Sequence, residues 1–145
     1  MKEQETNIWS WLGHGVIAIT TNGSLTRDGR AIMGRGVARQ AVELFPDLPR
    51  QLGKLLKSGG NHVYQITPDL VSFPVEETPW SLPDPGLIRQ SAGELRQLTD
   101  QHGWNLVVVP RPGCGGGGMR WEEIRPILTE LFDDRFIVVG APEVL

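Results

Sequence analysis

Apolar positions along this chain follow two periods. Some runs are short, continuous and β-branched. Residues 16–21, Val16-Ile17-Ala18-Ile19-Thr20-Thr21, read as a central strand that the Asn22-Gly23 turn ends. Residues 106–109 and 135–139 read as two more buried strands, and 62–67 with 70–73 as a short pair around Pro68-Asp69. Between these runs the period lengthens. Val37, Ala38, Ala41, Leu44 and Phe45 share one face of a helix over 34–45, with Arg35, Arg39, Gln40 and Glu43 opposite, and Pro46 stops it. Residues 48–56 predict a second short helix, closed by Ser58-Gly59-Gly60-Asn61. Leu87, Ile88, Ala92, Leu95 and Leu98 recur at helical spacing up to His102-Gly103. Trp121, Ile124, Leu128, Leu131 and Phe132 give the apolar face of a last helix over 121–132, which must hold Pro126 near its first turn or at a kink. Residues 74–85 contain four prolines and predict a rigid surface loop.

Strands alternating with helices predict an α/β fold: a central, mostly parallel or mixed sheet with helices on both faces. No internal repeat and no long linker interrupts the pattern. Residues 1–145 are therefore expected to form a single domain, a length sufficient for a sizeable core.

Composition narrows the function classes. A net charge of −3 argues against a large nucleic-acid surface, which needs clustered Lys and Arg. One cysteine and three scattered histidines, His14, His62 and His102, exclude an internal disulfide and a zinc cluster; no metal is expected, and a cytoplasmic location is. Residues 1–7 are polar and acidic, unlike a signal peptide, and no apolar run approaches the roughly 20 residues of a membrane helix. Of the five tryptophans, Trp104 and Trp121 are expected to pack beside the last two elements, and Trp9 and Trp11 at the edge of the core rather than around a purine.

The chemistry concentrates in glycine. Between the strand at 106–109 and the helix at 121–132, residues 113–118 hold five glycines in six positions. Glycine buries no side chain and costs backbone entropy on ordering; it supplies bare N–H groups and freedom at positive φ. At a strand-to-helix junction these make a cradle for an anion, most often phosphate. Gly34-Arg35-Gly36 opens another helix in the same way. Two helix starts, each with unpaired N–H donors, could grip a diphosphate between them. Gly113, Gly115 and Gly118 satisfy G-x-G-x-x-G, but the motif comes late in the chain, with one strand left, so it does not fit a dinucleotide oxidoreductase. No Gly-Lys-Ser/Thr follows, so it is not a Walker loop. Cys114, inside the loop, reads as a small space-filling side chain, because no histidine lies near it in sequence to activate the thiol.

Taken together these segments resemble a macrodomain, the ADP-ribose-binding α/β/α module, over nearly the whole chain. Asn7-Ile8 looks like the start that positions the adenine, with Asn7 where aspartate is usual. The end of the strand at 19–23 looks like the one that delivers an asparagine, here Asn22, to the distal ribose. Met33-Gly34-Arg35-Gly36-Val37-Ala38 resembles the first phosphate-and-ribose loop, and Pro110-Arg111-Pro112-Gly113-Cys114-Gly115, with Trp121 beyond it, the second, which wraps the diphosphate. The Pro-Arg-x-Gly-Cys-Gly run resembles the branch holding the terminal ADP-ribose-protein glycohydrolase, ADP-ribose-1″-phosphatase-like and phage macrodomains. That glycohydrolase uses a lysine after its middle strands and an aspartate in the second loop. Here residues 72–77 read Ser-Phe-Pro-Val-Glu-Glu, with no lysine, and Gly117 stands at the aspartate position.

The resemblance thus implies a three-layer α/β/α sandwich with a central mixed sheet. It implies a partner, ADP-ribose or an ADP-ribosylated macromolecule, and neither a cofactor nor a membrane. The ligand-binding residues it implies are Asn7, Ile8 and Asn22; Gly34, Arg35, Gly36 and Val37; and Gly113, Cys114, Gly115, Gly116, Gly117, Gly118 and Met119. Turnover is left open: slow removal of ADP-ribose or its 1″-phosphate without the lysine–aspartate pair, with no catalytic residue assigned. The alternative is a non-catalytic reader of another nucleotide or of a protein partner.

Overall fold

A computed structural model describes residues 1–140; residues 141–145 lie outside the described part. Among the described residues, six strands pair into one sheet: β1 (Lys2–Glu5), β2 (Val16–Thr21), β3 (Gln65–Thr67), β4 (Leu70–Pro74), β5 (Val107–Pro110) and β6 (Phe136–Gly140). Their order across the sheet is β1-β6-β5-β2-β4-β3. Neighbours run parallel except β3, which pairs antiparallel with β4. The helices are α1 (Gly36–Leu44), α2 (Leu48–Gly59), α3 (Pro85–His102) and α4 (Trp121–Thr129).

Side chains of a strand alternate between faces, and β2 shows what each face meets. Ile17 and Ile19 belong to a buried cluster with Ala38 and Ala41 of α1 and Leu48, Leu52 and Leu56 of α2. Val16 and Ala18 belong to the other cluster, with Ile88, Ala92 and Leu95 of α3 and Ile124 and Leu128 of α4. Both faces are covered, which is why these strands read as unbroken apolar runs. The result is the expected three-layer α/β/α sandwich around a mixed sheet. No helix among the described residues is long and apolar enough to cross a membrane.

Some local details differ from the sequence pattern. The acidic start is a strand, β1, exposed along its length and carrying no apolar alternation to read. It exists because its backbone pairs with β6, Lys2 opposite Ile137 and Glu5 opposite Gly140. The Glu3 carboxylate adds a tether, accepting from Trp121 Nε1 at 2.9 Å and Arg125 Nε at 2.8 Å. Leu44, placed on the buried face by its spacing, is 50% exposed, because α1 ends there and buries only Ala38 and Ala41. Helix α4 contains Pro126 and stops at Thr129, short of the predicted 132; Leu131 and Phe132 follow as a turn on the Leu128 carbonyl.

Register sets the position of the site. Thr21 of β2 lies opposite Pro74 of β4, and Pro110 of β5 opposite Val139 of β6, so the parallel strands end along one edge. From β2 the chain passes through α1 and α2 to β3 and β4 on one side. From β5 it passes through α4 to β6 on the other. Adjacent β2 and β5 therefore mark the point where strand order reverses, and a crevice outside the carboxyl ends is the general binding position in such sheets.

Candidate functional site: a glycine-walled cleft

A cleft of about 1120 Å³ opens at that point, at the upper end of small-molecule sites. It runs along the carboxyl edge of the sheet. Asn7 and Ile8 line one end, Val139 and Gly140 of β6 come next, then Pro110 and Arg111, then Thr20, Thr21 and Asn22, and finally Val75 and Glu76 beyond β4. From β6 to β4 this is three inter-strand steps, roughly 14 Å.

The two glycine loops wall the cleft from opposite layers. Gly34, Arg35, Gly36 and Val37 come from the α1 side, and Gly113, Cys114, Gly115, Gly116, Gly117 and Met119 from the α4 side. Gly118, at the back of the second loop, is not among the lining residues; its N–H bonds the Gly115 carbonyl at 3.3 Å. Both helices start without a side-chain cap, at Arg35 and at Arg120. Their first N–H groups are thus not satisfied by capping side chains. Gly36 has φ +57°, a left-handed conformation that bends the chain into α1 and that only glycine adopts cheaply. Gly117 answers a different need: a Cβ there would fall 2.7 Å from both the Gly113 carbonyl oxygen and Pro83 Cγ. The second loop can close against the proline-rich segment only without that carbon.

Several expected site residues carry structural bonds as well. Asn22 is 8% exposed; its Nδ2 donates to the Ile32 carbonyl at 3.0 Å and its Oδ1 accepts from the Ser24 N–H at 3.0 Å. Asn7 Oδ1 caps the short 3-10 turn Ile8–Trp11 by accepting from the Trp9 N–H at 3.0 Å. Arg35 reaches from the first loop to the proline-rich segment, where Nη2 donates to the Pro79 carbonyl at 2.7 Å and lies 3.6 Å from Glu76 Oε1. Cys114 packs against the α3–α4 core and its thiol donates to the Pro112 carbonyl at 3.4 Å. Burial pushes that thiol up, against a weaker pull from Arg111. It is held in the protonated, non-nucleophilic form, in keeping with a packing role.

Trp9 and Trp11 pack at the core edge, their indoles bonded to Gln40 and Thr6. The aromatic side chains of the cleft are instead Trp121 and Trp80. Trp80, on the rim, is 83% exposed. The sequence carried a signal for it, a large aromatic beside Pro79 in a segment with no helical or strand periodicity. Glu76 is the second missed residue. Its side chain is 12% exposed, and burial pushes its carboxyl up, against a weaker pull from Arg35. Residues 72–77 hold no lysine, and the sequence does not mark which of the two carboxylates after the strand is sheltered.

The sequence matches no protein-family model and no curated protein. Solved structures do match. The macrodomain of Thermus aquaticus DarG superposes with a TM-score of 0.76 at 20% identity, covering 98% of this chain and 97% of that one. The macrodomain of Mycobacterium tuberculosis DarG gives 0.74 at 22% identity, over 89% and 90%. Thermosipho africanus DarTG in complex with ADP-ribose gives 0.73 at 17% identity, over 90% of this chain and 39% of that one. At these identities the likeness shows the fold alone: this chain is built on the macrodomain fold.

Proposed function

We propose that the cleft binds ADP-ribose, free or attached to a macromolecule. The observation that carries this reading is the convergence of two glycine loops, from opposite layers, on the strand-order reversal. Backbone N–H groups and uncapped helix starts suit a diphosphate in a protein whose net charge is −3. Arg35 and Arg111 add positive charge at the wall. The adenosine end lies at Asn7 and Ile8, the diphosphate between residues 34–37 and 113–119, and the distal ribose beside Asn22. One of the similar structures, Thermosipho africanus DarTG, holds ADP-ribose, which supports the choice of ligand. The setting we assign is cytoplasmic, as expected for a chain with one cysteine.

Calorimetric titration tests this reading. ADP-ribose binds saturably and at least tenfold more tightly than AMP, which lacks the second phosphate and the distal ribose. No saturable heat with millimolar ADP-ribose overturns the assignment.

A further inference from the structure

Among the described residues, three large hydrophobic side chains stand exposed: Leu44, Trp80 and Leu82. Trp80 and Leu82 lie two positions apart between β4 and α3, 83% and 82% exposed, and Trp80 lines the mouth of the cleft.

The backbone that carries them is fixed. Residues 75–84 form an arch whose ends are joined by the Asp84 N–H, which donates to the Val75 carbonyl at 2.8 Å. Its foot is tied to the end of β2: the Val75 N–H donates to the Thr21 carbonyl and the Gly23 N–H to the Glu77 carbonyl, both at 3.0 Å. Arg35 of the first glycine loop donates to the Pro79 carbonyl at 2.7 Å. Pro83 is buried and lies so close to the second loop that a Cβ on Gly117 would meet its ring at 2.7 Å. Between these anchors Thr78 Oγ1 accepts from the Ser81 N–H at 3.0 Å and bonds Ser81 Oγ at 2.6 Å. The stretch 80–82 is thus held between the two walls of the cleft, with its two large side chains in water. A fixed backbone has lost the entropy of ordering, and side chains left in water return no burial for it. An exposed aromatic on a rigid support beside a cleft is the form an interface anchor takes.

Charge selects what the arch can meet. Residues 75–84 hold Glu76, Glu77 and Asp84, and neither lysine nor arginine. Arg35, 3.6 Å from Glu76, offsets one of the three carboxylates. Glu77 and Asp84 are exposed. The phosphates of a nucleic-acid strand are repelled by such a surface. A lysine or arginine side chain is attracted twice, by the carboxylates and by the face of an indole.

We propose that the arch at 75–84 is a docking surface for a basic peptide, the polypeptide to which ADP-ribose is attached, with Trp80 as the platform for a cationic side chain and Glu77 as its acidic neighbour. The proposal rests on the cleft binding ADP-ribose with the distal ribose beside Asn22. Asn22 follows β2, the strand to which the foot of the arch is tied, so a chain attached to that ribose leaves the cleft past Trp80. Leu82 gives the same chain an apolar contact. Peptide and ADP-ribose are then two linked ligands, and their joint binding appears as tighter affinity for the conjugate than for free ADP-ribose.

The test compares calorimetric affinities for free ADP-ribose and for three conjugates, each linked at C1″ through a hydrolysis-resistant oxime. One carries a short peptide rich in lysine and arginine, one a peptide of equal length rich in glutamate, and one a short single-stranded oligonucleotide. The basic conjugate binds at least tenfold more tightly than free ADP-ribose and more tightly than either other conjugate. Its advantage shrinks as salt rises from about 0.05 to 0.5 M. Trp80→Ala, at an exposed position, melts as the parent does and cuts the advantage at least fivefold. Glu77→Lys cuts it at least threefold. An advantage below tenfold overturns the proposal while leaving the ADP-ribose reading intact. So does tighter binding of the glutamate or oligonucleotide conjugate. Trp80→Ala also overturns it by weakening free ADP-ribose and the basic conjugate equally, which would make the indole a lid on ADP-ribose itself. Absence of binding by free ADP-ribose and by all three conjugates removes the underlying reading, and this proposal with it.

Discussion

At Gly117 the absence of a side chain is a packing requirement. The resemblance aligns this position with a catalytic aspartate, so Gly117→Asp is the obvious attempt to install an acid. The geometry predicts that it does not work. The first atom added meets backbone at Gly113 and the ring of Pro83, both at 2.7 Å, and neither is the flexible end of a long side chain. Overpacking of this kind costs about 1–3 kcal/mol. We expect a lower midpoint in urea and no gain in turnover; a variant of parental stability would show that the loop relaxes more freely than its contacts indicate. Cys114 illustrates the complementary case. Its isolation from histidine in the sequence pointed to packing, and its raised thiol and bond to Pro112 agree. Glu76 was the reverse: nothing in Val75-Glu76-Glu77 tells which of two consecutive carboxylates is sheltered. Burial separates them, and burial is a property of what folds over the loop.

At the scale of elements, β1 is the most conditional part of the sheet. It is an edge strand with exposed side chains, held by one ladder and by Glu3. Burial raises the Glu3 carboxyl, but hydrogen bonds from Arg125 and Trp121, with the charges of Arg125 and Arg111, outweigh it, and the net shift is downward. The folded state therefore binds that proton less tightly than the unfolded chain does. The stabilisation is fully present above the ordinary glutamate range and is lost as pH falls through the lowered folded value. Glu3→Ala is expected to speed amide exchange in β1 at neutral pH while leaving β2 and β5 protected, because those lie inside the sheet. In the parent the same loss of β1 protection, measured against the intrinsic exchange rate at each pH, appears on acidification. Equal protection of β1 in parent and variant would mean that the ladder to β6 is sufficient by itself.

For the whole molecule, the cleft walls come from the layers on opposite faces of the sheet. A ligand contacting both loops links the α1–α2 layer to the α3–α4 layer and stabilises the fold as a unit. ADP-ribose at a hundredfold excess over its Kd should add about 2.7 kcal/mol to unfolding. It should also slow amide exchange in residues 34–37 and 113–117 together. Protection of one loop alone would place the ligand off the strand-order reversal and contradict the arrangement proposed here.

Much of this organisation is legible in the amino-acid sequence. The β-branched runs at 16–21 and 106–109 identify strands buried on both faces, because only an apolar layer on each side tolerates unbroken apolar sequence. The glycine runs at 34–36 and 113–118 mark loops where backbone must approach backbone or ligand, since glycine has no other use there. These are local properties, set by side-chain chemistry and short-range sterics. Local pattern could not reveal β1, whose strand state is created by its partner β6, or the exposure of Leu44, whose helix ends before a layer covers it. Nor could it place Trp80 at the rim and Glu76 in the wall, because both follow from how the proline-rich segment lies across the carboxyl edge of the sheet. Local sequence determined the elements and the glycine loops. Tertiary packing decided which polar groups share the cleft, because desolvation and the convergence of distant segments exist only once the layers have closed.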